Sequence, residues 1–140
     1  MAIEEPIEAV VALWDANSLD STFSGGVWSF QAPDTADAPF VVLVPVDEIS
    51  TSFTSSRGIE RERLQFSIFY EEVAGADPVV ALRALGRTLR GVYDNARLAL
   101  TGSAAGHVMH MRFVNSVMVK ESERTYHLAI DYFIARAQAS

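Results

Sequence analysis

The chain has 140 residues, 49% of them hydrophobic, enough for one domain that buries roughly two thirds of its unfolded surface without a covalent staple; with no cysteine, disulfides and thiolate zinc sites are excluded. Eighteen acidic residues against 11 basic ones leave a formal charge of −7, which repels phosphate backbones and argues against sequence-independent nucleic-acid binding, although it would suit a channel wall past which DNA slides without sticking. No apolar run approaches the roughly 20 residues of a membrane span, and the first residues are acidic where a signal peptide is basic, so the expectation is a soluble protein made in the cytosol.

Ile3, Ile7, Val10, Val11 and Trp14 fall on one helical stripe and predict a helix over about residues 4–17, with Glu4, Glu5 and Glu8 in its first turns and Asn17, Ser18 and Asp20 at its end. Gly25 and Gly26 supply the positive φ of a tight turn before a short strand, Val27 to Gln31. Pro33 and Pro39 then bracket an exposed acidic loop and force extended backbone on the residues before them. Phe40 to Glu48 reads as a strand buried on both faces. Pro45 within it cannot donate to a ladder, so the strand is expected at an edge or bulged there.

Residues 50–58, STSFTSSRG, read as a mobile polar loop carrying one aromatic, Phe53. Ile59 to Glu72 alternates, with Leu64, Phe66, Ile68 and Tyr70 on one face and Phe69 as the apolar exception on the other. Asp77 is placed to cap a helix that begins at Pro78 and runs to about Leu100, its buried stripe being Val79, Leu82, Leu85, Leu89, Val92 and Tyr93; Gly86 and Gly91 inside it suggest close packing. Two alternating runs, Val108 to Lys120 and Arg124 to Ala137, are expected to form a hairpin. A turn centred on Glu121 and Ser122 sets Met109, Met111, Phe113, Asn115 and Val117 opposite Ile134, Tyr132, Ile130, Leu128 and Tyr126, and Arg112 opposite Asp131. The expected fold is therefore α+β, a mainly antiparallel sheet with two helices on one face, in the order α-β-β-β-α-β-β.

Signals of chemistry are weak. On a strand His107 and His110 point to opposite faces, and the same register sets His127 against Ser116, so no metal site is expected. No glycine loop has phosphate-binding spacing, and no serine stands in a triad context. Neighbouring carboxylates such as Glu60 and Glu62, or Glu71 and Glu72, read as solvated charge, and the former with Arg57, Arg61 and Arg63 as a charged edge that discourages stray pairing or sets register between subunits. No enzyme activity and no cofactor are expected. The positive signal is for assembly: with both helices on one face, the reverse face of the hairpin (His110, Val114, Met118, Ala129, Phe133), extended by Phe69 and Leu43, is left half-apolar and uncovered.

The stretch GGVWSFQAPDTADAPFVV gathers these landmarks. Gly26, Val27 and Trp28, then Ala32 and Pro33, then Pro39, Phe40, Val41 and Val42 follow the order Gly-apolar-aromatic, Ala-Pro, Pro-aromatic-Val-Val. In this, and in its order of elements, the chain resembles the tail-terminator, or tail-completion, proteins of long-tailed bacteriophages. That resemblance implies a non-enzymatic subunit of the virion neck, made in the host cytoplasm. It would form a homo-oligomeric ring, expected to be hexameric, that caps the head-proximal end of the tail tube, ends tube polymerisation and meets the head-tail connector, with DNA passing through but no sequence-specific contact to it and none to membrane. Alternatives are another neck component, such as a head-closure protein, and a small cytosolic ligand-binding or enzymatic domain. Expected exposure, not the resemblance, nominates Phe69, His110, Arg112, Met118 and Phe133 for the subunit interface, and Ser52, Phe53, Thr54 and Arg57 for the loop that touches tube or connector.

Overall fold

A computed structural model describes residues 6–50, 60–99 and 107–138. Helix α1 (Pro6–Ala16) and a short 3-10 turn (Leu19–Ser21) precede strands β1 (Val27–Ser29), β2 (Phe40–Ser50) and β3 (Glu60–Glu71); α2 (Pro78–Tyr93) is followed by β4 (Arg97–Ala99), β5 (His107–Lys120) and β6 (Thr125–Gln138). The strands make one sheet in the order β1-β2-β3-β6-β5-β4, with β1 parallel to β2 and every other pairing antiparallel. Both helices contribute to one apolar cluster with a single face of this sheet, as the α+β reading requires. Val10 and Trp14 of α1 and Leu82, Leu89 and Tyr93 of α2 are buried against Phe66, Ile68, Ile130 and Tyr132.

Local chemistry explains most boundaries. The Trp14 indole tilts against Phe23 at 5.3 Å, and its Nε1 donates to Asp20 Oδ1 at 2.8 Å, so the chain reversal after α1 is tied to the helix it leaves. Asp77 caps α2, its Oδ1 accepting from the backbone N–H groups of Val79 (2.9 Å) and Val80 (3.4 Å), with Pro78 at the start where its missing N–H costs nothing. Pro45 stands at a register break in β2, between its pairings with Leu64 and those of Asp47 with Arg63. Only Val41, Val42 and Leu43 of this strand, among the side chains described, are buried in the way expected of the whole run.

Three expectations need correction. Helix α2 ends at Tyr93, not near Leu100: Asp94 turns extended, Asn95 takes φ 61, a left-handed conformation that asparagine tolerates, and Arg97–Ala99 pairs with β5 as an added edge strand. Gly25 is not a positive-φ residue; that role belongs to Gly26 alone, at φ 82. Gly25 is instead a point of close approach, where an added Cβ would stand 1.8 Å from the Asp37 carbonyl oxygen.

The hairpin register is the third. Its turn spans Glu121 to Arg124, and the N–H groups of Glu121 and Ser122 both donate to the Thr125 carbonyl. Met111 therefore faces Ile134 and Phe113 faces Tyr132, a slip of two residues that leaves the faces unchanged. A bulge at Val114 then adds one residue to β5. Beyond it the faces are exchanged, because side chains alternate with period two: Asn115 and Val117 fall on the reverse face, and Ser116 and Met118 on the helix face, Met118 packed against the core. Arg112 lies opposite Phe133, and Asp131 opposite Asn115; His127 faces Val119 rather than Ser116.

Of the two helical glycines, Gly86 stands in close contact with the sheet and Gly91 does not. A Cβ at Gly86 would meet Leu128 Cδ2 at 2.7 Å, whereas nothing lies within 4 Å of one at Gly91.

Candidate functional site

The face of the sheet turned away from the helices carries Phe69, His110, Arg112 and Phe133. These do not form one patch. At one end Phe69 of β3 is sandwiched between Phe40 (5.1 Å, 19°) and His127 (4.6 Å, 7°), while His127 Nδ1 lies 2.9 Å from Glu121 Oε1. At the other end His110, Arg112 and Phe133 line, with Ala135, a depression of about 260 Å³. Phe133 is six residues along β6 from His127, a distance of about 20 Å at the rise of a strand. Met118 belongs to neither group, because the bulge turns it to the helix side. Leu43 is fully buried in the core.

Between the two ends the face is polar. The Arg63 guanidinium donates to Asp131 Oδ2 (2.8 Å), Gln65 Nε2 donates to Asp131 Oδ1 (3.0 Å), and Ser67 Oγ donates to Gln65 Oε1 (3.2 Å). Asp131, only 8% exposed, thus finds on the neighbouring β3 the cation expected from Arg112. Two nitrogens on this face, Arg63 Nε and His127 Nε2, are shielded from solvent and have no hydrogen-bond partner among the described residues. Val117 and Val119, 54% and 43% exposed, add apolar area that sequence reading missed. Only recognition of the bulge would have found them, and VNSV carries no glycine or proline to mark it.

The helix side has its own charged cluster. Arg90 chelates Asp94 (Nε to Oδ2 3.0 Å, Nη2 to Oδ2 2.9 Å) and lies over the Phe113 ring at 3.5 Å, while the Tyr132 hydroxyl donates to Asp94 Oδ1. The hydrogen bond to Asp94 holds the Arg90 guanidinium above its usual pKa. Burial first, then the bond to Asp94, pushes the Tyr132 phenol up; burial and the charge of Asp15 do the same for Tyr93, whose hydroxyl donates to the Val10 carbonyl at 2.7 Å. With both phenols neutral and the arginine charged at neutral pH, Tyr93 ties α2 to α1 and the Arg90–Asp94–Tyr132 contacts tie the end of α2 to the hairpin.

One turn N-terminal to these contacts, Arg83 and Arg87 border a groove of about 340 Å³ between α2 and the hairpin, lined also by Met118, Leu128 and Ile130. At the opposite edge of the sheet, the loop after β1 exposes Phe30 (68%), Asp34 and Asp37. It folds over Val42 and Val44 to border a groove of about 430 Å³ that reaches Phe69.

Among the described residues no group of three or more His, Cys, Asp or Glu side chains is placed to hold a metal, and no helix is long and apolar enough to cross a membrane. Ser52, Phe53, Thr54 and Arg57, the expected contact loop, lie outside the described residues.

No protein-family model and no curated protein matches the chain. Among solved structures, a chain of the virion of a native gene transfer agent (GTA) particle is similar in fold, with a TM-score of 0.66 at 13% identity, over 94% of this chain and 92% of that one. At that identity the likeness is one of fold: this chain and a virion protein share one architecture along nearly their whole lengths.

Proposed function

We propose that the protein is a virion structural subunit, and more narrowly a non-enzymatic tail terminator that forms a ring, six-membered by family expectation, on the head-proximal end of a phage-type tail tube. The observation that carries the reading is the near-complete coverage, in both directions, of the fold shared with a chain of the gene transfer agent virion. The motif order from Gly26 to Val42 and a sheet face turned away from both helices, with Val117 and Val119 exposed on it, point the same way.

Mechanistically, a ring requires contacts between two different surfaces of each subunit that close by rotation. The ring then meets the tube with one end and the connector with the other, so that the next tube subunit finds no matching surface. An acidic chain suits the lumen such a ring leaves for DNA. Light scattering coupled to size-exclusion chromatography, with negative-stain imaging of tail tubes mixed with the protein, tests this. Rings and density at one tube end only are expected. A species that stays monomeric at high concentration and leaves tube ends bare would overturn the proposal, and binding to the portal side without binding to tubes would favour a head-closure protein.

A further inference from the structure

The charges on the two ends of the sheet are segregated in a way the net charge conceals. Between its capping residues Asp77 and Asp94, α2 carries Arg83, Arg87 and Arg90 and no acidic residue, in a chain of charge −7. Arg90 is engaged by Asp94, but Arg83 and Arg87 make no ion pair among the described residues, and they border, with Arg90 and Ser116, a groove in which Met118 offers apolar surface beside the buried Leu128 and Ile130. In the strand order β1-β2-β3-β6-β5-β4 this groove belongs to the β6-β5 half, and the loop of Phe30 to Asp37 follows β1 at the other end. That loop is the complement: Asp34 and Asp37 are exposed and also make no ion pair among the described residues. Phe30 beside them is the most exposed large apolar residue described and is held at φ 67. A bulky side chain in left-handed backbone is strained, and strain of that kind persists where a function selects it.

From this we infer that the groove between α2 and the hairpin receives the Phe30–Asp37 loop of a second copy of this chain, Asp34 and Asp37 meeting Arg83 and Arg87 and Phe30 packing on Met118. The inference rests on the ring reading and specifies its contact. Because donor loop and acceptor groove lie at opposite ends of one sheet, the contact joins two different surfaces head-to-tail, the kind of contact that builds a ring when its rotation closes. Met118 among the arginines gives an aromatic anchor an apolar contact that a nucleic-acid backbone would not use.

The test is a charge swap. One variant carries Arg83→Glu and Arg87→Glu, the other Asp34→Arg and Asp37→Arg; all four positions are exposed, so circular dichroism should report an unchanged fold. Sedimentation velocity should find each variant alone at least about tenfold weaker in self-assembly than the wild type, and an equimolar mixture, in which every contact is again between opposite charges, restored to alternating rings. Because the wild-type chain has no cysteine, Asp34→Cys with Arg87→Cys should also give a ladder of multimers with a short bis-maleimide. If both charge variants assemble as the wild type does, or the mixture fails to recover, this contact is wrong while the ring reading stands. If the wild type assembles neither alone nor on tube ends, the ring reading falls and the contact with it. Duplex DNA binding that disappears in the arginine variant would likewise overturn the inference.

Discussion

Gly25→Ala puts the fold's central landmark under direct test. An alanine Cβ there would sit 1.8 Å from the Asp37 carbonyl oxygen and 2.7 Å from Phe40 Cβ. The first is backbone and the second is rooted on it, so no rotamer change relieves the clash. To admit the methyl group the Asp37–Phe40 segment must move away, and with it the hydrogen bond from Gly25 N–H to the Pro39 carbonyl (3.0 Å). Overpacking costs about 1–3 kcal/mol and the displaced hydrogen bond about 1 more, giving an expected loss of about 2–4 kcal/mol. For a chain of this length that lowers the melting temperature by roughly 10 °C. The control is Gly26→Ala, where φ is 82 but the nearest atom to the new Cβ is Trp28 Nε1 at 3.8 Å; only the conformational term applies, about 1–2 kcal/mol. Thermal and urea unfolding of the two variants beside the wild type decides the matter. A Gly25→Ala protein no less stable than Gly26→Ala would refute the argument that close approach, rather than turn geometry, requires this glycine.

Gly91→Ala should do the opposite and stabilise the protein by about 0.5–1 kcal/mol in urea unfolding, since the added methyl enters open space on a helix. Asp131→Asn should cost about 1–3 kcal/mol by removing the charge partner of Arg63 while leaving a side chain of equal size; a double-mutant cycle with Arg63→Met checks that the loss belongs to this pair. The phenols of Tyr93 and Tyr132 are both raised above their ordinary value of 10.0, so the stability they confer is complete below about pH 10 and declines as pH rises from there toward the raised values. Unfolding free energy measured across alkaline pH should fall above that point, and the phenolate absorbance of these two residues should appear only as the protein unfolds. Phe30→Gly should leave stability within about 1 kcal/mol, relief of left-handed strain offsetting glycine's entropy, while weakening self-assembly in sedimentation; unaltered assembly would deny Phe30 its anchoring role.

Elements whose cause lies within a few residues were legible from the chain alone. The stripe Ile7, Val10, Trp14 placed α1, Asp77-Pro78 placed the start of α2, Pro45 announced an irregularity in β2, and the alternation from Leu64 to Tyr70 assigned each side chain of β3 to its face. Periodicity and capping are short-range properties, and they also settled the α+β class. The candidate surface was legible only in part: Phe69, Arg112, His110 and Phe133 do lie on the reverse face, yet in two clusters, and Met118 does not.

What tertiary structure alone decided has a common physical origin in contacts between residues distant in sequence. The bulge at Val114 is a property of how β5 pairs with β6, and one inserted residue exchanges the faces of everything beyond it. The end of α2 depends on the Arg90–Asp94–Tyr132 latch and on β5 offering an edge to Arg97–Ala99, neither of which is written in the run from Tyr93 to Leu100. Gly25 is required by a carbonyl twelve residues away, and Asp131 takes its cation from β3 rather than from the hairpin partner. The separation of an arginine-lined groove from an acidic loop across one sheet likewise exists only once the strand order is set, because composition sums charges that the fold keeps apart.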